Sequence, residues 1–200
     1  IEVMDASTFK PIHQISMIAN GTAKQPRSLT FYGDKVFVTC YDGYVDVIDT
    51  TSLSITQRIQ VGSNPEGLSV ANNKLYVANS GGLNFPNPDS TVSVIDLNTL
   101  TEIKKITVGM NPGGVITDSQ GDVYAIIRGD YASVPSRMVR IDVQNDVLAE
   151  IFPFDASGIY PMNDQFLISF YNYSTDESTI GLFNPLSETL ISSNYLSTAG

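Results

Sequence analysis

The side chains best suited to chemistry in this 200-residue sequence gather in three irregular stretches, 80–90, 128–136 and 171–178. They hold Asn84, Phe85, Asn87, Asp89, Arg128, Asp130, Tyr131, Tyr171, Asn172, Tyr173, Asp176 and Glu177. Asn79 stands just ahead of the first stretch and Arg137 at the far edge of the second, while an earlier, shorter stretch offers Tyr41, Asp42 and Tyr44. Aromatic rings beside adaptable amides and carboxylates suit non-covalent capture of a largely apolar ligand that carries polar groups. Arg27 and Glu66 each follow a proline, at places answered later in the sequence by Gly113 and Ser157. These four are expected to crowd together, and the opposite charges of Arg27 and Glu66 can pair with each other.

Catalytic constellations are sparse. His13 is the only histidine, so a Ser–His relay would depend on a residue far in sequence from the loop cluster. CxxC, HExxH and EF-hand patterns are absent, so no metal site and no cofactor is expected. The glycine-rich turns 62–67 and 109–114 lack the GK[ST] ending of a phosphate loop. Asp176 and Glu177 are adjacent acids, for which solvated loop charge is the plainer account. A lyase or glycan hydrolase using loop carboxylates stays open, because the spatial separation of two acids is not readable from sequence. Cys40, in the run VFVTC, reads as a buried small hydrophobe. The tripeptide Arg128-Gly129-Asp130 is short enough to arise by chance. No catalytic residue is assigned.

The elements that must position these residues come from a repeat. PRSLTFYGDKVFVTCYDGYVDVIDTTSLSITQRIQVG, from Pro26 to Gly62, recurs from Pro65 to Gly109 and again from Pro112 to Phe154. A recurrence of roughly 40 residues built from short apolar runs marks stacked supersecondary units. Pro26 to Phe37 and Pro65 to Tyr76 both span 11 residues, and Asp49 to Pro65 and Asp96 to Pro112 both span 16. Only the middle interval varies: Phe37 to Asp49 is 12, Tyr76 to Asp96 is 20 and Tyr124 to Asp142 is 18. The chemistry-bearing stretches are these variable intervals.

Each unit carries four strand signals, separated by turn residues such as Gly33-Asp34, Asn72-Asn73 and Gly121-Asp122. Asp49, Asp96 and Asp142 recur at the end of the third strand, where an Asp accepts hydrogen bonds from the following turn; they are read as structural. No apolar pattern of helical period persists, so four-stranded antiparallel units in tandem predict an all-β fold, a β-propeller. A flat solenoid of such sheets is the weaker alternative. The expected division is a half blade at 1–24 and blades at 25–62, 63–109, 110–153 and 154–196, all in one partial propeller domain. In the last unit Ala156 takes the proline place and Asn184 the Asp place. Four and a half blades would leave sheet edges and faces uncovered, so these residues are expected to be a segment of a longer ring.

Composition agrees. Charged residues make up 16% and the net charge is −10. An acidic surface is repelled by phosphate backbones and anionic lipid, so nucleic acid is not an expected partner. No run approaches the 18 apolar residues of a membrane span.

The strings LYVANS, STVSVID and ITVGMNPGG resemble the YVTN repeat of bacterial surface-layer-type propellers, and VFVTCYDGYVDVID with IQVGSNPEG repeats the match one unit earlier. The likeness is strong over 25–114, fair to Leu148 and weak beyond. It implies about seven blades in the intact ring and an extracytoplasmic place, at the cell surface, as an outer-membrane lipoprotein or in the periplasm. The long loop of LYVANSGGLNFPNPDSTVSVID is similar in style to surface lipoprotein propellers that capture vitamin B12 and related corrinoids, which would imply an outer-membrane transporter as partner. The expected function is non-catalytic binding of a small molecule, protein or glycan on the loop-rich face. The residues expected to carry it are Arg27, Tyr41, Tyr44, Glu66, Asn79, Asn84, Phe85, Arg128, Tyr131, Tyr171 and Tyr173. A surface-layer structural role is a further alternative.

Overall fold

The computed structural model describes residues 1–82, 84–172 and 175–197, with the side chain of residue 197 left aside. The described residues hold no α-helix. Two short antiparallel hairpins come first: β1 (Glu2–Met4) with β2 (Pro11–Gln14), and β3 (Ile18–Ala19) with β4 (Thr22–Ala23). Four sheets of four antiparallel strands follow, each in simple sequential order. Blade I is β5 (Pro26–Tyr32), β6 (Lys35–Cys40), β7 (Tyr44–Asp49) and β8 (Ser54–Gln60). Blade II is β9 (Pro65–Ala71), β10 (Lys74–Asn79), β11 (Thr91–Asp96) and β12 (Thr101–Thr107). Blade III is β13 (Pro112–Thr117), β14 (Val123–Ile127), β15 (Arg137–Asp142) and β16 (Val147–Phe152). Blade IV is β17 (Gly158–Met162), β18 (Gln165–Asn172), β19 (Glu177–Asn184) and β20 (Thr189–Ser197). This is the meander of a β-propeller.

The middle strands read as near-continuous apolar runs because both of their faces are covered. Successive side chains on a strand point to opposite faces. On β14, Val123, Ala125 and Ile127 join the core shared with blade II, while Tyr124 and Ile126 join the core shared with blade IV. On β10, Leu75 and Val77 face blade I and Tyr76 faces blade III. On β6, Val38 and Cys40 meet Ile1, Val3 and Ile15 of the N-terminal segment, and Phe37 turns the other way. Burial pushes the Cys40 thiol up to about 12, so it is a packing residue with negligible thiolate at neutral pH. The seam between blades III and IV is aromatic: Tyr124 meets Phe166 edge-on at 5.2 Å, and Phe152 meets Phe183 in the same way.

The first strands are innermost, with β5 packed on β9, β9 on β13 and β13 on β17. Space at this axis is narrow. A Cβ on Gly67 would lie 2.6 Å from the Gly113 carbonyl oxygen, so these strands approach through glycine backbone.

The turn after each third strand is built alike. Oδ1 of Asp49 accepts the N–H groups of Thr51 and Ser52, Oδ1 of Asp96 those of Asn98 and Thr99, and Oδ1 of Asp142 those of Gln144 and Asn145. Asn184 does the same for Leu186 and Ser187, and Asp5 for Ser7 and Thr8. The residue four places on takes positive φ each time: Phe9, Leu53, Leu100, Asp146 and Glu188. Hydrogen bonds to the charged form hold the carboxyls of Asp5, Asp49, Asp96 and Asp142 below their usual range.

Candidate functional site

The second-to-third-strand connections share a rim with the blade-to-blade connections. In blade II, Gly81 N–H donates to the Ser63 carbonyl and Ser63 N–H donates to Asp89 Oδ2 at 2.9 Å. In blade III, Arg128 and Gly129 N–H groups donate to the carbonyls of Asn111 and Met110. In blade I, Tyr41 accepts from Asn64 Nδ2 through its carbonyl at 3.1 Å. The first-to-second and third-to-fourth turns meet on the other rim, where Thr50 N–H donates to Asp34 and Leu97 N–H to Asn73.

Among the described residues, two of the depressions open on the loop-bearing rim. The larger, about 750 Å³, lies between blades III and IV, and Arg128, Tyr131, Pro135, Ser157, Phe170 and Tyr171 are among its lining residues. Its volume falls within the range of small-molecule sites. The smaller, about 510 Å³, is lined in part by Tyr41, Asp42, Tyr44, Asn64 and Asp89.

Loop chemistry fixes the larger cleft. Asp130 folds the 128–136 loop around its own carboxylate, which accepts Ala132 N–H, Val134 N–H and Ser133 Oγ at 2.7–2.9 Å. Those bonds, led by the one from Ser133, hold the Asp130 pKa down to about 2. Gly129 supports the same turn with φ near +67°; a Cβ there would lie 2.0 Å from the Val134 oxygen. Asn111 Nδ2 donates to the Tyr131 hydroxyl at 3.1 Å, and the Tyr171 hydroxyl donates to Asp176. Both rings are thereby oriented while 49% and 39% of their residue surface stays exposed.

Arg27 and Glu66 pair, as their positions suggest. Arg27 Nη2 lies 3.1 Å from Glu66 Oε1 and Nε lies 3.2 Å from Oε2, a two-pronged contact. These hydrogen bonds raise the Arg27 pKa, and its guanidinium also sits 5.2 Å from the centre of the Tyr41 ring. Arg128 approaches the same carboxylate, its Nη1 4.0 Å from Oε1. Gly113 has its sequence-expected place beside this group, and a Cβ there would lie 2.4 Å from Arg128 Cζ.

Other expected residues separate. Tyr44 packs against Arg58, whose Cζ is 4.1 Å from its ring centre, and Arg58 in turn bridges Asp42 and the buried Asp46. Lys24 completes that network at 2.7 Å from Asp46 Oδ2. Asn84 closes its own loop by donating from Nδ2 to the Asn87 carbonyl, and Phe85 is half exposed. Asn79 departs from the expectation. It is fully buried, its Oδ1 accepts Gly62 N–H, and its Nδ2 donates to Thr91 Oγ1 and Ser93 Oγ. Every polar atom of its side chain is used inside the blade, so it braces the loop without reaching a ligand. Tyr173 lies outside the described residues. Phe170 and Asn111 were missed: Phe170 reads as an ordinary strand residue, and Asn111 as a residue of a turn between blades.

No family model and no curated protein sequence matches the chain. Solved structures do match. Hydrazine synthase of Kuenenia stuttgartiensis superposes with a TM-score of 0.74 at 18% identity, over 90% of this chain and 53% of that one. The dihydro-heme d1 dehydrogenase NirN, in complex with DHE, gives 0.62 at 14% identity over 83% of this chain and 36% of that one. The computationally designed Ika8 protein gives 0.64 at 13% identity, over 94% and 54%. The chain thus spans about half or less of these three structures. The first two neighbours are β-propeller proteins, and at these identities they establish that fold and nothing narrower.

Proposed function

We propose that this chain is a non-catalytic propeller of the YVTN-repeat kind that binds a ligand on its loop-bearing rim. The observation that carries this reading is the 750 Å³ cleft between blades III and IV, walled by the oriented rings of Tyr131 and Tyr171. Repeat scaffolds concentrate recognition where their connections lengthen on one face, and the length variation of this repeat falls there. The rest of the proposal, an extracytoplasmic location and delivery to an outer-membrane transporter, rests on the resemblance of the repeat alone.

A fragment screen by crystallography or NMR tests the reading. Hits gathered in the cleft and abolished by Tyr131→Ala with Tyr171→Ala support it. Hits spread evenly over both rims overturn it. Absorbance titration with cyanocobalamin tests corrinoid capture, and absence of binding at high micromolar concentration removes that narrower version.

A further inference from the structure

We propose that the cleft between blades III and IV selects an aromatic monocarboxylate, held by Arg128. The inference rests on the ligand-binding reading above and adds the chemical class. Glu66 has both of its oxygens occupied by Arg27. Arg128 is left 4.0 Å from that carboxylate, beyond hydrogen-bond distance, and its guanidinium donates no hydrogen bond among the described residues. Its side chain is only 32% exposed. Asp155, an exposed member of the same lining, forms no ion pair with it among the described residues. A guanidinium offers five donors in a planar fork that matches a carboxylate two to one. Here that fork donates no hydrogen bond among the described residues, on the wall of a cleft whose lining includes the rings of Tyr131, Phe170 and Tyr171 beside the polar Ser136, Asp155, Ser157 and Asn172.

Charge and geometry together select the class. Arg27 and Arg128 share the Glu66 carboxylate, and Asp155 in the same lining offsets the remaining positive charge. A singly charged carboxylate, held by the directional two-pronged contact of a guanidinium, makes the smallest anionic demand on such a site. A phosphate dianion would be undercompensated, in a chain whose net charge is already −10. The aromatic walls then favour a flat apolar body behind the anionic group. The arrangement also has a dedicated seat. Arg128 lies over Gly113, where any Cβ would fall 2.4 Å from Cζ, and the glycine has no positive φ that would otherwise require it.

The test uses 1-naphthoate, 1-naphthamide and 1-naphthyl phosphate as probes, titrated calorimetrically into the full chain. Fragment-sized ligands bind in the roughly millimolar range even at good sites. Naphthoate is expected to bind at least about tenfold more tightly than the neutral amide, the scale of one charge-assisted hydrogen bond. It should also bind more tightly than the phosphate. Arg128→Gln should abolish the preference over the amide and leave amide binding unchanged. Gly113→Ala should do the same without altering any side chain of the lining. Should Gly113→Ala not fold, as judged by circular dichroism, Arg128→Gln decides. Equal affinity for acid and amide overturns the anion assignment while the ligand-binding reading survives. Tighter phosphate binding overturns the monoanion class. Failure of all three probes to bind at millimolar concentration overturns this proposal, whereas the wider reading falls only with the fragment screen.

Discussion

Tyr76, at the centre of β10, donates its hydroxyl across the seam between blades II and III to Asp146 Oδ1 at 2.7 Å. Lys74 reaches the other oxygen of the same carboxylate at 2.7 Å. Asp146 sits at the positive-φ corner of the turn that follows β15, so one residue both shapes its own blade and fastens the blade before it. Tyr124 repeats the reach one blade on, donating to the Pro185 carbonyl at 3.3 Å. Burial and the neighbouring carboxylate push the Tyr76 phenol well above its ordinary pKa, so it remains a donor throughout the accessible pH range.

The two tyrosines should differ in what their hydroxyls contribute. Tyr76→Phe removes a bond to a charged acceptor and should cost about 1.5–3 kcal/mol, whereas Tyr124→Phe loses a longer bond to a neutral carbonyl and should cost about 0.5–1.5 kcal/mol. Urea unfolding of both variants measures the difference. Equal losses would mean that the Asp146 latch is not a charge-assisted bond.

Asn79 should act as a structural brace. Asn79→Ala strands Gly62 N–H and the Ser93 hydroxyl in a buried site, while Thr91 keeps its bond to Asp89, and should cost about 2–4 kcal/mol. Gly62→Ala should destabilise through the same contact, since its Cβ would fall 2.4 Å from Asn79 Cγ. Thermal melts of the two variants check this, and a wild-type melt for Asn79→Ala would contradict it.

The 81–88 segment should be removable. A Cβ on Gly81 would lie 2.1 Å from Asp89 N, so the loop leaves and returns at nearly one point. Among its described residues the interior bonds, Asn84 to Gly81 and Asn87 to Asn84, are its own, and the Gly81 N–H bond to the Ser63 carbonyl ties its base to the neighbouring connection. Deleting Gly81 to Pro88 brings the interval to the length found in blade I and should shift Tm by only a few degrees, because long and short surface loops differ little in closure entropy. Collapse of the fold would show instead that the segment is a structural part of blade II.

Acid should weaken the fold through its turns. Asp5, Asp49, Asp96, Asp130 and Asp142 all have folded pKa values below their ordinary ones. A depressed carboxylate contributes stability that is complete above the unfolded value of about 3.9 and is lost as pH falls through the folded value. For Asp130 the folded value is about 2, so its contribution fades between those limits. Asp118 runs the other way. Burial raises it, so its ionised form opposes folding above the folded pKa, and Asp118→Asn should be neutral or stabilising at pH 7. Denaturation midpoints from pH 2 to 7 for the wild type, Asp130→Asn and Asp118→Asn read these signs directly.

The sequence declared its blades because the repeat records the physics of a doubly covered strand. Val123 to Ile127 is apolar throughout since blades II and IV each claim alternate residues. Asp49, Asp96 and Asp142 declared their turns through a short carboxylate that bonds its own backbone two and three residues on. The hairpin of β3 and β4 went unread although Asn20-Gly21, both at positive φ, is a strong two-residue turn signal. Its strands of two residues are too short for a periodic pattern. At the cleft, the loop tyrosines were visible as residue types in variable intervals. The buried state of Asn79 was not, because an amide at a strand end looks the same whether it faces solvent or a neighbouring backbone N–H. The division of labour between Arg27 and Arg128 depends on which guanidinium reaches Glu66 first, and only three-dimensional distances decide that.

The most direct measurement of the central claim is an amide chemical-shift map of the chain titrated with 1-naphthoate. The account predicts that the largest shifts fall at Arg128 to Ser136, Ser157 and Phe170 to Asn172, with the turns at Asp49 to Leu53 and Asp96 to Leu100 unmoved. Shifts centred on those turns, or none at saturating probe, would contradict it.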